Sequence, residues 1–317
     1  MELSSKSLAV LVRARNEATH LPRLIQGLER QGVTPDELIL VDSGSTDSTV
    51  EIANSAGWKV VHLDPAEFSF GRSLNKGFEH CSSEIVVILS AHVYPTRPDF
   101  LEVISRRVTA SGKTIAYGKQ IGDERTKFSE KVLMSTWFPS ERIPDQGHAF
   151  TNNANACVPR ALWQVLRYDE SLTGLEDIDF SKRLLAMGGT VVYEDEAEIV
   201  HVHEETYAQV ANRYRREAVA YKAIFPGERM SWLSALRLMY RNIRRDLAEA
   251  AREKALVSVW LSVLSFRSSQ FFGAWSGFRQ AGNPDSELMQ RMYFPLPGGH
   301  TLRKGKYAQR IEYSENA

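Results

Sequence analysis

Residues 84–95 read EIVVILSAHVYP. Five apolar residues in succession, four of them β-branched, have the length of a strand and lack the alternation of a half-exposed one, so the spacing predicts a strand buried on both faces. It ends in Ser90, Ala91 and His92. Upstream, SLAVLV (7–12), ELILV (37–41) and KVVHL (59–63) read as three more strands, and the segments between them read as helices over 17–31, 46–56 and 71–80. In the first of these, Leu21, Leu24, Ile25 and Leu28 recur at helical spacing. Short β-rich runs alternating with helices predict an α/β fold with a parallel sheet.

Downstream the pattern loosens. Between Thr114 and Pro159 glycine, proline and asparagine accumulate, which predicts loops around a site with one or two strands among them. A helix is expected over 175–187 and one or two strands over 190–202, after which the chain turns helical and basic. Phe225-Pro226-Gly227 marks the expected boundary between a domain at 1–225 and a helical, aromatic-rich region at 226–317.

Composition excludes several classes. The 317 residues are 43% hydrophobic, enough to bury a core. Lysine plus arginine balances aspartate plus glutamate at 39 each, so no overall field draws the protein to nucleic acid. Two cysteines, Cys81 and Cys157, are too few for a disulfide scaffold and suit a reducing cytoplasm. The N-terminus reads as no signal peptide, because Arg13 and Arg15 break its apolar run. The apolar stretch Ala255–Phe266 is twelve residues. A membrane-spanning helix needs about 20.

Three strand ends carry the polar residues. ARNEA (14–18) follows the first strand, VDSGSTDST (41–49) follows the second, and SAH (90–92) closes the fourth. In an open parallel sheet ligands bind beyond the carboxyl ends of the strands, and a Ser/Gly/Thr loop there leaves room for a nucleotide. A helix cap by Ser45, Thr46 and Asp47 explains the second motif equally well by itself. Farther on, GLEDIDFSKRLLAMGG (174–189) opens a helix with Glu176, Asp177 and Asp179. Anions favour a helix N-terminus in any protein, but that alone does not explain the glycine before them.

As an ordered set these motifs resemble the family 2 glycosyltransferases of the GT-A fold over about residues 7–225. The resemblance implies a GT-A-like nucleotide-binding sheet with a C-terminal helical extension, acting as an inverting transferase on a nucleotide-diphosphate sugar. It implies that Asn16 and Glu17 stand on the nucleotide side, that Asp42 contacts the base, and that Asp177, with Glu176 beside it, is the general base toward a glycan or lipid-linked acceptor. Ser90-Ala91-His92 occupies the place of the family's Asp-x-Asp triplet and departs from it. Ser90 can bond a ribose hydroxyl and His92 can ligate a metal, but together they supply no negative charge. A charge pair at 4 Å is worth about 4 kcal/mol at an effective dielectric of 20, so the loss needs compensation. His201, in EIVHVHEE, falls where relatives place a metal-completing histidine; Arg72, Asn75 and Lys76, at the helix start FSFGRSLNKG (68–77), can reach phosphate oxygens. Imidazole ligands favour a borderline divalent ion, so Mn²⁺ is expected to serve better than Mg²⁺.

Asn152, Asn153 and Asn155 suit sugar hydroxyls or simply turns, while Trp137 and Phe138 are expected in the core. The basic amphipathic segment 232–254 can lie on an anionic bilayer or pack on its neighbour, 256–278. SQFFGAWSGFR (269–279) resembles tails of bacterial family members that extend surface polysaccharides, implying a cytoplasmic protein at the inner face of the membrane. The alternatives are a sugar nucleotidyltransferase, disfavoured because VRARNEATHLP lacks a glycine-rich loop, and a non-catalytic donor-binding protein of the same fold. No GxGxxG follows a strand, which disfavours a dehydrogenase.

Overall fold

The computed structural model describes residues 7–280 together with Arg310, Ile311 and Tyr313. In chain order the elements are β1 (Leu8–Ala14), α1 (Leu21–Glu29), β2 (Glu37–Asp42), α2 (Thr49–Ser55), β3 (Lys59–His62), α3 (Phe70–Glu79), β4 (Ile85–Ser90), β5 (Val93–Pro95), α4 (Phe100–Ser105), β6 (Thr114–Ile121), α5 (Phe128–Trp137), β7 (Asn155–Pro159), α6 (Arg160–Leu166), α7 (Glu176–Ala186), β8 (Thr190–His201), α8 (Tyr207–Ile224), α9 (Trp232–Arg252) and α10 (Leu256–Gln280).

The eight strands form one sheet in the order β3-β2-β1-β4-β7-β6-β8-β5. The expected parallel unit is there: β1 pairs in parallel with β2 and β4, and β2 with β3. β4 sits inside the sheet as its apolar run requires, and successive residues serve opposite cores: Val86 and Ile88 on one face, Val87 and Leu89 on the other. On the second face lie α1 and α4; on the first, α3, α5, α6, α7, α8 and α10 contribute to one large cluster.

The second half of the sheet is more regular than the sequence suggests. β7 runs antiparallel to both β4 and β6, and β6 is parallel to β8, so the region from Thr114 to Pro159 supplies the two strands within the expectation and adds an unexpected helix, α5. That helix hides from a periodicity reading because Ser129 and Glu130 stand among its buried residues. Residues 190–201 form a single twelve-residue strand. α1 starts four residues later than expected because the Glu17 carbonyl closes a turn with the amides of His20 and Leu21. α2 starts at Thr49 rather than Thr46, whose amide donates to Asn16 Oδ1 instead.

The helices beyond Phe225 share the core of the preceding domain. Phe266, Phe271, Ala274 and Phe278 of α10 lie in the same cluster as Tyr214 and Tyr221 of α8. Gly273 allows this approach, since a Cβ there would stand 2.1 Å from the carbonyl oxygen of Ala211. α9 packs on α10, as one of its two expected readings has it, and leaves Leu233 73% and Tyr240 60% exposed. No described helix is long and apolar enough to cross a membrane.

Candidate active site

Sheet register gathers the polar strand ends on one edge. Arg13 pairs with Ser90 and Ala14 with Asp42, while antiparallel β7 brings its N-terminal Asn155 beside Leu89. β5 folds back against β8 so that Val93 faces His201, which sets His92 beside the end of β8; the Val202 amide donates to the His92 carbonyl at 3.0 Å.

Three imidazoles meet there. The rings of His92 and His201 stack with centroids 5.0 Å apart, and those of His201 and His203 stand edge to face at 4.0 Å. Each Nδ1 has an outer partner: Glu17 Oε1 at 2.8 Å for His92, Gln120 Oε1 at 2.7 Å for His201 and Glu130 Oε1 at 2.6 Å for His203. Facing inward, His201 Nε2 and His203 Nε2 are 2.9 Å apart, and Ser90 Oγ lies 3.1 Å from His92 Nε2. One ligand atom from each ring lies within 4.8 Å of the others. Burial, reinforced by His203 and His92, pushes the His201 pKa well below its ordinary value and keeps the ring neutral, the form that ligates a metal. Burial opposes ionisation of Glu130, but His203 and Arg213 outweigh it and hold this carboxyl far below the usual range.

A second cluster stands at the start of α7. Leu175 takes a left-handed φ of 57°, turning the chain so that Glu176 and Asp177 enter the helix side by side. Glu176 is buried and held by Arg13 Nη1 at 3.1 Å and Asn153 Nδ2 at 3.3 Å. Asp177 accepts from the amides of Asn153 and Ile178 at 3.1 and 2.8 Å. Burial, then the neighbouring charge of Glu176, pushes the Asp177 pKa up to about 7 against those two bonds and Arg13. Asp179 turns away into an i,i+4 pair with Arg183.

One cavity of about 90 Å³ takes lining residues from both clusters, Asp177 from the second and His201 and His203 from the first, together with Trp137, Phe150 and Asn152. Phe138 is in the core as expected and Trp137, partly buried, packs against it; both also line this cavity.

Several predicted site residues take other positions. Asp42 is 3% exposed and its carboxylate accepts from the amides of Gly44 and Ser45, so it organises the loop and leaves little of itself to a base. Asn16, at φ 57°, ties that loop down by accepting from Thr46 and donating its own amide to Ser45 Oγ. Glu17 turns its carboxylate to His92. Asn75 is the clear correction: it is 2% exposed, its amide nitrogen donates to Tyr168 O and Glu170 Oε1, and its oxygen accepts from Trp163 and Tyr168, which saturates it as a structural group. Arg72 pairs with Glu170 at 2.8 Å. Asn155 is fully buried and donates to the carbonyls of Ala197 and Lys119.

The sequence reading missed Arg13, Gln120, Glu130 and His203, and it took Asn153 for a sugar or turn residue where the structure has it holding Glu176 and Asp177. Only His203 carried a local signal, since His-x-His on a strand places both rings on one face.

Residues 9–163 match the profile of glycosyl transferase family 2. Over that stretch, just under half of the 317 residues, the chain is similar to family 2 glycosyltransferases. It is 25% identical over 200 residues to an O-antigen chain rhamnosyltransferase of Salmonella anatum, covering 59% of this chain and 62% of that protein. With the succinoglycan biosynthesis protein ExoA of Rhizobium meliloti it shares 26% over 215 residues, covering 63% and 64%. The chain thus spans less than two thirds of the length of both relatives. Among solved structures, a mannosyltransferase of Pyrobaculum calidifontis in complex with GDP-Man and Mn²⁺ superposes with a TM-score of 0.59 at 17% identity, over 86% of this chain and 87% of that one. A glucosyl-3-phosphoglycerate synthase of Mycobacterium tuberculosis in complex with Mn²⁺, UDP and glucosyl-3-phosphoglycerate gives 0.52 at 18%, over 70% and 80%. At these identities the structural likeness speaks for the fold of the transferase domain.

Proposed function

We propose that the protein transfers a sugar, with inversion, from a nucleotide-diphosphate donor to a hydroxyl of a glycan or lipid-linked acceptor in polysaccharide biosynthesis. The single observation that supports this reading is that Asp177, His201 and His203 line one and the same cavity. Inversion needs a base on the face of the sugar opposite the leaving diphosphate, and a carboxylate and an imidazole cluster sharing one cavity supply the two kinds of group. Asp177, with a pKa near neutrality, takes the proton from the acceptor hydroxyl. Glu176 holds Arg13 behind it, and Asn153 fixes its carboxylate through the backbone. On the donor side, Asn16, Asp42 and the loop they order receive the nucleotide, Ser90 serves the ribose, and Arg72 reaches phosphate by exchanging its pair with Glu170.

His92 and His201 hold a divalent ion, with Mn²⁺ supporting turnover better than Mg²⁺. When bound, that ion supplies positive charge to the departing diphosphate. The residues present fit such an ion, because burial keeps the His201 ring neutral and the Nδ1 atoms of His92 and His201 are engaged by Glu17 and Gln120, which leaves Nε2 for a ligand.

The outer faces of α9 and α10 support peripheral contact with the inner face of the membrane: Leu233, Val257 and Leu261 are 73%, 88% and 60% exposed, and Arg237 and Arg244 stand on the same hairpin. The test is a panel of UDP-, GDP-, dTDP- and CMP-sugars with glycan and lipid-linked acceptors, with NMR assignment of the product anomer. Release of free nucleotide diphosphate with an inverted linkage is the expected result; a retained configuration or no turnover with any donor overturns the reading.

A further inference from the structure

Three carboxylate or amide oxygens behind three imidazoles determine where the lone pairs of those imidazoles point. A carboxylate only accepts, so Glu17 makes His92 Nδ1 a donor and Glu130 does the same for His203 Nδ1. Gln120 presents its oxygen to His201 Nδ1 with the same consequence. A neutral imidazole with a proton on Nδ1 carries its lone pair on Nε2. The Nε2 atoms of His201 and His203 face one another at 2.9 Å, and one ligand atom from each of the three rings lies within 4.8 Å of the others. Two ring nitrogens at that separation are joined either by a proton between them or by a cation beside them, and metal titration tells the two apart.

We infer that His203 is a third ligand, and that the ion is held by the Nε2 atoms of His92, His201 and His203 in an all-imidazole shell, with Ser90 Oγ on its rim and an open position toward the cavity. This rests on the reading that an ion sits at His92 and His201, and goes beyond it in ligand number, tautomer and metal preference. Each ligating ring is anchored through its other nitrogen, the arrangement that orients histidine ligands in metal proteins. A neighbouring group, Glu130 with His203 and Glu205, can also be drawn around a cation. Arg213 already fills it, at 2.6 Å from Glu130 and 2.7 Å from Glu205, so a guanidinium does there what a metal would do.

The all-imidazole shell also resolves the charge problem raised by the missing acids. Three neutral ligands leave the full double charge of the ion facing the diphosphate, while Glu17 and Glu130 stand one ring farther out. Such a shell prefers Zn²⁺ and Co²⁺ to Mn²⁺, and all three to Mg²⁺, which demands oxygen ligands and retains its water.

The test is titration of the metal-stripped full chain with Zn²⁺, Co²⁺, Mn²⁺ and Mg²⁺ against a competing chelator, together with the visible spectrum of the Co²⁺ form. One equivalent of Zn²⁺ or Co²⁺ is expected to bind, with affinity falling to Mn²⁺ and then Mg²⁺. In His203→Asn the side-chain amide stands where Nδ1 was and can still donate to Glu130, but the Nε2 ligand is gone. Its Zn²⁺ affinity should fall by more than the ~10–100-fold that loss of an outer partner costs, and its Co²⁺ spectrum should change. Unchanged affinity in His203→Asn, alongside a large loss in His201→Asn, overturns the third ligand and leaves the ion at His92 and His201 standing. Absence of saturable binding by the folded wild type overturns both. If His203→Asn does not fold, Glu130→Gln carries the question: a loss of ~10–100-fold supports His203 as a ligand, and unchanged affinity overturns it.

Discussion

The imidazole cluster and the carboxylate cluster are built in opposite order of charge. In the imidazole cluster the rings of His92, His201 and His203 stand together and the acids Glu17 and Glu130 are bonded behind two of them. At the carboxylate end, Asp177 faces inward and a cation, Arg13, stands behind through Glu176. The difference teaches what each end is for. A ring backed by an acid is a better lone-pair donor for a metal, whereas a buried carboxylate beside another carboxylate is pushed toward neutrality and becomes a base that can both take and release a proton near neutral pH. The same ingredients in reversed depth give two chemistries a few side chains apart.

The contrast can be broken most forcefully at the base. Asp177→Asn preserves shape and removes the proton acceptor, so kcat should fall by about 10²–10⁴ while nucleotide binding stays close to wild type; parallel measurement of turnover and of nucleotide affinity by calorimetry checks both. At the other end, Glu17→Gln leaves His92 its hydrogen-bond partner but removes the charge behind the ring. Metal affinity should drop by about 10–100-fold with little change in the anomer formed, as chelator competition would reveal. The gentlest intervention sharpens the carboxylate end. Because the Asp177 pKa is raised to about 7 and the base must be ionised to act, kcat/KM should fall as pH drops through about 7. Glu176 is one cause of that rise, so Glu176→Gln should move the limb to lower pH, and a pH profile in which it stays put or rises contradicts the assignment of Asp177.

Much of the fold was legible because burial wrote itself into contiguous residues. β1, β2 and β4 are apolar runs flanked by polar strand ends, and their parallel order follows from the helices between them. The opening of α7 was legible too, since three acids in one helical turn stand out in sequence. What escaped was nonlocal. α5 was obscured by Glu130, whose burial makes sense only with Arg213 and His203 beside it, 83 and 73 residues away. Gln120 supports His201 only because β6 lies next to β8, a pairing that no local pattern announces. Asn75 misled for the same reason: a polar residue near a helix start suggests a phosphate contact, and its partners at Tyr168 and Glu170 come from another part of the chain.

The most direct test of the account is anomalous diffraction at the metal edge from crystals grown with Zn²⁺ or Mn²⁺ and a nucleoside diphosphate. The account predicts a single peak at bonding distance from Nε2 of His92, His201 and His203, about 2.0–2.1 Å for Zn²⁺, with diphosphate oxygens on its open side and Asp177 across the cavity. A peak between Glu130 and Glu205, or a nucleoside diphosphate bound away from the three rings with no metal between them, would contradict it.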